Sequence, residues 1–287
     1  MGSRCKVVSD VSHFLVTSSR REKAVKLALS AFNELRERGY NVILDSNLDG
    51  GKEEFDESNQ QIDAILVFGG DGTILKTLKR WINIPILGIN CGRVGFLTEI
   101  EPDELIKAIE KFERNEFFYE KYTTLSIESV EYPNPIAVND IVVISDKTGR
   151  IITLKVSINN KQLYTFNGDG IIIASTTGSS AYSRSAGGPL IMPTVDAFSI
   201  VAICPFLGRV YPLVVPPETE IKVINASKYR DGNVVIDGEI YCKLKYEESI
   251  TVTKSEKKVN FVRFSDNYVE RVREKLLKLD PDDINEE

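Results

Sequence analysis

The chain has 287 residues, of which 42% are hydrophobic and 27% charged, and its formal net charge is −6. This length allows one large core or two smaller ones, and the composition is that of an ordinary globular protein. The acidic balance argues against nucleic acid as a partner, because proteins that bind the phosphate backbone usually show a basic excess. It leaves room for a local basic pocket that binds a small phosphorylated molecule.

Apolar runs in the chain are short compared with the roughly twenty residues of a membrane-spanning helix. No apolar segment of the kind found in secretory signals follows Met1. The cysteines, Cys5, Cys91, Cys204 and Cys242, form no Cys-x-x-Cys pair, which favours reduced thiols over a zinc site or disulfides. We therefore expect a cytoplasmic protein that has no membrane partner.

His13 is the only histidine, so a serine-hydrolase triad, a histidine-rich metal site or a phosphohistidine relay would depend on it alone. It lies beside an apolar run, and we interpret it as structural. Any chemistry must then use carboxylates, hydroxyls, backbone amides or a metal bound through oxygen.

The first hundred or so residues alternate between helix and strand patterns. Ser19 followed by Glu22 predicts a capping box that opens a helix, and Gly39 predicts its end. Residues 62–68 are almost entirely apolar, which is typical of a strand buried on both faces of a parallel sheet. Further strands are predicted at residues 40–44 and 84–89, a loop at 47–61, and helices after Gly72 and from Pro102.

Beyond residue 118 the pattern changes to short strands separated by Pro, Asn, Gly and Asp. Helical signal returns only at residues 267–279. Strands are predicted at residues 124–130, 136–144, 151–158, 163–166, 198–203, 220–224, 234–236, 240–244 and 250–253.

The predicted fold is thus α/β followed by all-β. Residues 1–118 form an open parallel α/β domain, and residues 119–263 form a β-sandwich-like domain. The terminal helix, in residues 264–287, is expected to return to the first domain.

The strongest local signal is Gly69-Gly70-Asp71-Gly72-Thr73, hereafter the glycine turn, which follows a predicted buried strand. Glycines let backbone amides approach a ligand closely, and the helix that follows offers its N-terminus to an anion. The turn therefore predicts a phosphate-binding site, although it matches neither a Walker loop nor the dinucleotide-binding glycine motif.

Asp71 is unusual in such a turn, because a carboxylate repels phosphate unless a proton or a metal intervenes. A base that deprotonates an attacking hydroxyl, or a ligand for Mg²⁺, would explain it. The alternative is an ordinary Asp-Gly turn in which Asp71 caps the backbone.

Two further polar elements follow apolar runs. Residues 175–183 are rich in serine and threonine, which can grip phosphates and ribose hydroxyls or merely cap a helix. Asn139 and Asp140 suit sugar hydroxyls or amides, but a simple turn before a strand explains them equally well. Asp169, between two glycines, has the same ambiguity.

Four blocks, in this order and spacing, resemble the NAD kinase family. They are the glycine turn, residues 90–97 (Asn-x-Gly-Arg-Val-Gly-Phe-Leu), Asn139-Asp140, and residues 177–183. The match extends from about residue 62 to Ile236-Asp237-Gly238. The glycine turn alone is also similar to that of diacylglycerol-type lipid kinases and phosphofructokinases.

The resemblance implies an enzyme that phosphorylates the 2′-hydroxyl of the adenosine ribose of NAD to give NADP. ATP, or polyphosphate, would be the donor, Mg²⁺ or another divalent metal the cofactor, and Asp71 the proton acceptor. It also implies a homo-oligomer, a dimer or a tetramer. The implied positions for NAD are Asp71, Gly72, Lys76, Asn139, Asp140, Arg150, Asp169, Thr177, Ser180, Ala181, Tyr182, Ser183 and Ser185. Those for the phosphate donor are Gly69, Gly70, Gly72, Thr73 and Gly178.

Some residues depart from the family pattern. Asp140 stands where glutamate is commoner, and Ser180 where threonine is usual. The segment after Cys204 lacks a histidine that many relatives carry, which leaves the choice between NAD and NADH open. Lys76 and Arg150 have an alternative explanation as solvated surface charges.

Two other classes remain as alternatives. A lipid kinase would need an apolar acceptor pocket, and residues 177–183 are too polar for one. A non-catalytic dinucleotide sensor would have no need for Asp71. The metal ligands are left open by the sequence.

Overall fold

The computed structural model describes residues 12–48, 62–128, 135–206 and 210–277. The chain divides into two compact units, Met1–Glu120 with Asn260–Glu287, and Lys121–Val259. Most of the predicted loop at residues 47–61, the end of the predicted strand at 124–130 and the end of the predicted helix at 267–279 lie outside the described residues.

The first unit contains a parallel sheet and the helices that cover it. Its elements are β1 (His13–Ser18), α1 (Glu22–Glu37), β2 (Asn41–Leu44), β3 (Ala64–Gly69), α2 (Asp71–Arg80), β4 (Ile86–Asn90) and α3 (Leu105–Glu113). The strand order is β2-β1-β3-β4, and every neighbouring pair is parallel. All of β3 is buried, as expected for a central parallel strand. The parallel α/β prediction is confirmed.

The start of α1 differs from the prediction. The capping box of Ser19 and Glu22 is wrong, because α1 has Arg21 as its N-cap and no side-chain cap. The Ser19 N–H instead donates to the Phe68 carbonyl at 2.9 Å, so the pairing of neighbouring strands overrides the local motif. Gly39, with φ of +91°, ends the helix as predicted.

The C-terminal segment of the first unit begins with the end of a strand in which Phe261 pairs in parallel with Ile86 of β4. A helical segment follows. It is α-helical over Tyr268–Arg271 and π-helical over Val272–Leu277, rather than the uniform helix that the sequence predicts.

The second unit contains two antiparallel sheets. Its elements are β5 (Phe118–Glu128), β6 (Ile136–Ala137), β7 (Asp140–Ser145), β8 (Ile152–Ile158), β9 (Lys161–Gly168), β10 (Gly170–Ala174), the helical turn α4 (Tyr182–Ser185), β11 (Phe198–Ile203), β12 (Leu213–Val215), β13 (Ile221–Asn225), β14 (Gly232–Ile236), β15 (Glu239–Leu244) and β16 (Ser249–Arg263). The first three residues of β5, which end at Glu120, and the last four residues of β16, which begin at Asn260, belong to the first unit.

One sheet of the second unit has the order β12-β11-β10-β7-β14-β15. The other contains β16-β13-β8-β9, with β5 paired to β16 and β6 paired to β5. Inward-facing residues of both sheets, such as Ile171 and Ile200 from one and Leu154 and Val223 from the other, form a single apolar core. This is the sheet-on-sheet packing of a β-sandwich, and the prediction of an all-β second part is confirmed.

Candidate active site

A cleft of about 1380 Å³ opens in the first unit beyond the carboxyl ends of β1, β3 and β4. β2 lies on one side of β1 and β3 lies on the other, so the strand order reverses at β1. Open α/β sheets bind ligands at the carboxyl edge where the strand order reverses. The cleft therefore lies where this fold places a nucleotide.

The glycine turn lines this cleft. A Cβ on Gly69 would lie 2.4 Å from Thr73 Oγ1, so the turn is too tight for any larger residue there. Gly70 and Gly72 have nothing within 4 Å of their missing side chains, and the space beside them is open. Backbone amides and a helix N-terminus thus face a cavity in which a phosphate can be bound.

Asp71 is the first residue of α2, and two backbone amides hold its carboxylate. Phe96 N–H donates to Oδ2 at 3.1 Å, and Leu97 N–H donates to Oδ1 at 2.9 Å. Burial raises the pKa of Asp71 above its usual value, while the two amides and the charges of Lys275 and Arg263 act in the opposite direction. The carboxyl is therefore held in one orientation, and burial raises its affinity for a proton.

Arg263 fixes the segment that supplies these amides. Its Nη1 donates to the carbonyls of Leu97 and Thr98 at 3.1 and 3.4 Å and to Glu99 Oε2 at 3.1 Å, and its Nε donates to Glu120 Oε2 at 2.7 Å. The Arg263 side chain is only 1% exposed. The sequence analysis missed this residue, and the only available signal was a charge at the end of an apolar strand.

The cleft has a basic lining that the sequence analysis found only at Lys76. Arg20 and Arg21 precede α1 and line the cleft with Ser18 and Ser19 at the end of β1. Arg93 and Arg80 also line it, and Arg80 pairs with the buried Asp45 at 2.9 Å. A strand end followed by basic residues before a helix was the signal that could have identified Ser18–Arg21.

The second unit has its own pocket of about 360 Å³, lined by both apolar and polar residues. Of the predicted NAD residues, it brings together Asn139, Asp140, Ala181 and Tyr182. The other lining residues are Val142, Ile144, Val235, Asp237 and Gly238. A pocket with apolar walls and a few polar groups suits a flat heterocycle joined to a sugar.

Asp237 holds one side of this pocket in place. Its carboxylate accepts the N–H groups of Val138, Asn139 and Asp140 at 2.9, 2.7 and 3.2 Å. Asp237 and Gly238 have φ of +45° and +82° and form the two-residue turn between β14 and β15. Burial first, and then the charge of Asp237, raise the pKa of Asp140 to about 7.

Several predicted hydroxyls make contacts inside the second unit. Ser183 Oγ is buried 3.2 Å from Ser199 Oγ, and Ser180 Oγ donates to the Thr177 carbonyl at 3.0 Å. In the described part of the chain, Thr177 Oγ1 and Asn139 Oδ1 are buried without a hydrogen-bond partner. Asn139 lines the pocket of the second unit, whereas Thr177 lines neither cavity.

The remaining predicted residues differ in their surroundings. Gly178 packs so closely that a Cβ would lie 2.1 Å from the Asn139 carbonyl oxygen, so packing alone explains a glycine at this position. Asp169 is near Tyr182, whose pKa is raised by burial and by that charge. Ser185 ends α4 and is exposed, and Arg150 is exposed in the turn between β7 and β8 and lines neither cavity.

A divalent cation would find few protein ligands in the cleft. The acidic residues that line it are Asp45, which pairs with Arg80, and Asp71, whose two oxygens accept backbone amides. No group of three or more His, Cys, Asp or Glu suited to a metal occurs within the described ranges. Mg²⁺ commonly takes one or two protein carboxylates and completes its shell with substrate phosphates and water.

An open α/β sheet, with a carboxylate in a glycine turn at its ligand-binding edge, defines a nucleotide-dependent phosphotransferase. Residues 14–117 match the ATP-NAD kinase N-terminal domain, and residues 138–264 match the ATP-NAD kinase C-terminal domain. The chain belongs to the NAD kinase family.

Similar proteins support this assignment. The NAD kinase of Methanothermobacter thermautotrophicus is 39% identical over 266 residues, covering 89% of this chain and 93% of that protein. The NAD kinase of Thermococcus kodakarensis is 36% identical over 257 residues, covering 86% and 92%.

Solved structures share the fold. An NAD kinase from Archaeoglobus fulgidus in complex with ATP has a TM-score of 0.74 and 29% identity, covering 93% of this chain and 100% of the other. Yeast NADH kinase complexed with NADH has a TM-score of 0.80 and 21% identity, covering 96% and 89%. Among the helices that the structure describes, none is both long and apolar enough to cross a membrane.

Proposed function

We propose that the chain transfers the γ-phosphoryl group of ATP to the 2′-hydroxyl of the adenosine ribose of NAD, with Asp71 as the base. The observation that carries this proposal is the Asp71 carboxylate, oriented by two amides at 3.1 and 2.9 Å inside a glycine turn that lines an open cleft. A turn that only bound phosphate would gain nothing from a negative charge.

In the proposed reaction, the 2′-oxygen of the ribose attacks the γ-phosphorus while its proton passes to Asp71. The bond from the γ-phosphorus to the bridging oxygen breaks, and ADP leaves with that oxygen. The protein contributes mainly by positioning and by neutralising charge, since phosphoryl transfer involves little covalent chemistry for the enzyme.

The donor is assigned to the cleft of the first unit. Gly69, Gly70, Gly72 and Thr73 provide backbone and hydroxyl groups for the phosphates, and Arg20, Arg21 and Lys76 provide the positive charge. This lining suits any chain of phosphates, so polyphosphate is a second donor to test. A divalent cation, for which we propose Mg²⁺, would further neutralise the phosphates.

The acceptor is assigned to the pocket of the second unit. Asn139 and Asp140 would bind the polar edges of NAD, and Ala181 and Tyr182 would contact its flat surfaces. Thr177 lines neither cavity and stays a prediction from the resemblance. Asp169, Ser180, Ser183, Ser185, Arg150 and Gly178 remain predictions from the resemblance, as do the cytoplasmic location and the dimeric or tetrameric state.

A coupled assay tests the acceptor and the donor together. Purified protein is offered NAD, NADH or diacylglycerol with ATP or polyphosphate, and the phosphorylated product is measured. We expect NADP from NAD and no phosphatidic acid. Phosphorylation of the lipid instead would show that the acceptor assignment is wrong.

Asp71→Asn tests the base. General base catalysis typically contributes about 10²–10⁴-fold, so we expect turnover to fall by this factor while the affinity for NAD, measured by calorimetry, stays within about twofold. Near-normal turnover of this variant would remove Asp71 from the mechanism.

A further inference from the structure

We propose that Lys275 is a positioning residue for Asp71, acting through the single peptide unit that joins Gly95 to Phe96. This inference rests on the proposed role of Asp71 as the base. It places the C-terminal segment of the chain, which the matched family domains do not reach, in direct connection with the catalytic carboxylate.

One peptide unit connects the two side chains. Lys275 Nζ donates to the Gly95 carbonyl at 2.5 Å, and the N–H of the same peptide, that of Phe96, donates to Asp71 Oδ2 at 3.1 Å. A cation on a carbonyl polarises its peptide and strengthens the hydrogen bond that the N–H donates. Lys275 therefore reinforces the bond that orients Asp71.

The backbone geometry leaves this peptide little freedom. Gly95 has φ of +57°, and a Cβ there would lie 2.5 Å from Thr98 Oγ1 and 2.6 Å from Asn90 Oδ1. Thr98 Oγ1 donates back to the Gly95 carbonyl at 2.7 Å, and Lys275 Nζ lies 3.4 Å from the same hydroxyl oxygen. Lys275 thus binds a bend of the backbone whose Phe96 N–H already donates to Asp71.

The charges around these groups differ in how far they are neutralised. Arg263 forms ion pairs with Glu99 and Glu120, and Arg271 pairs with Glu120. Within the described residues, no ion pair includes Lys275, which is influenced by Glu101 and Asp71 at longer range and opposed by Arg271 and Arg263. Asp71 is therefore one of the two carboxylates on which its charge acts, and Glu101 is the other.

Burial lowers the pKa of Lys275 and raises that of Asp71, and each charge partly counteracts the effect of burial on the other group. Below the pKa of Lys275, its ammonium favours the ionised base. Removing this charge favours the protonated form of Asp71, so the loss of activity is greatest at acidic pH.

The test compares Lys275→Met with Arg273→Met, which removes an exposed charge from the same helical segment. For Lys275→Met we expect kcat to fall by roughly 3–10-fold at the acidic end of the pH profile and by no more than about twofold at its alkaline end, with KM for NAD nearly unchanged. Arg273→Met should follow the wild-type pH profile. A loss for Lys275→Met that is equal at every pH would indicate a merely structural role and overturn the inference.

A second measurement does not depend on turnover. The Asp71 carboxyl is followed by NMR of protein labelled with ¹³C at the aspartate carboxyl, and its signal is assigned by its loss in Asp71→Asn. We expect its titration in Lys275→Met to shift to higher pH than in wild type or Arg273→Met. An unshifted titration would refute the proposal for Lys275, whereas an active Asp71→Asn enzyme would refute the base assignment itself.

Discussion

Asp237 and Asp140 are connected by two hydrogen bonds that their backbone N–H groups donate, while their carboxyl groups repel each other. Asp140 N–H donates to Asp237 Oδ1 at 3.2 Å, and Asp237 N–H donates to the Asp140 carbonyl at 3.1 Å. Three backbone N–H groups donate to the Asp237 carboxylate and favour its charged form. Burial, together with the nearby charge of Asp237, raises the pKa of Asp140 to about 7. The pocket thus holds a carboxyl that changes its charge near neutral pH.

Asp140→Asn should make the protein more stable at alkaline pH. The folded-state pKa of Asp140 is raised from 3.8 to about 7, so its contribution to stability is fully present below about pH 4 and is lost as pH rises to about 7. An asparagine does not titrate, so the gain over wild type should be about 1–3 kcal/mol larger at pH 8 than at pH 5. Urea unfolding at both pH values measures it.

Asp103→Asn, at an exposed position, is the matched control and should show no such difference. Asp140→Asn should also alter the affinity for NAD. Equal gains in stability at pH 5 and pH 8 would show that Asp140 does not titrate between them.

The glycines of the glycine turn should separate stability from activity. Gly69→Ala places a methyl group against Thr73 and should cost about 1–3 kcal/mol of unfolding free energy. Gly70→Ala and Gly72→Ala meet no atoms, so their stability should stay within about 1 kcal/mol of wild type. Their methyl groups should still raise KM for the donor, because they stand where phosphate approaches the amides. If both kept a normal KM for ATP, the donor would not bind at this turn.

Arg20 should bind the phosphate donor rather than the dinucleotide. Arg20→Ala should raise KM for ATP by roughly 3–10-fold, the effect of losing one charged hydrogen bond at a partly solvated site, and leave KM for NAD unchanged. Initial-rate kinetics with each substrate varied measures both values. Arg38→Ala, which removes an exposed arginine paired with Glu34, should change neither constant. A selective rise in KM for NAD would place Arg20 with the acceptor.

Arg263→Met should destabilise the first unit severely. It leaves the carboxylate of Glu99, whose side chain is 2% exposed, without its ion-pair partner, and it leaves Glu120, at 11% exposed, with Arg271 alone. Breaking a buried pair in this way typically costs about 3–5 kcal/mol. Arg114→Met breaks an exposed pair with Glu116 and should cost less than about 1 kcal/mol. Denaturant unfolding compares the two, and similar losses would mean that the buried network adds little.

The sequence predicts the two-part fold well, because continuous apolar runs and alternating runs carry their own periodicity. It fails where distant residues decide local structure. Ser19 does not cap α1, since its N–H is taken by Phe68 of the neighbouring strand β3. β16 continues to Arg263, far beyond the predicted residues 250–253, because its last residues find a partner in β4.

By itself, the sequence predicted the glycine turn, Asp71 and the Asn139-Asp140 pair as site residues, because these motifs are contiguous and each residue type has a direct chemical use. Only the tertiary structure decided what surrounds them. Arg263 and Lys275 lie about 190 and 205 residues beyond Asp71 in the sequence, and Asp237 lies almost 100 beyond Asp140, so no local pattern connects them. Burial and those distant charges set the protonation of both carboxyl groups, and both depend on how the chain folds.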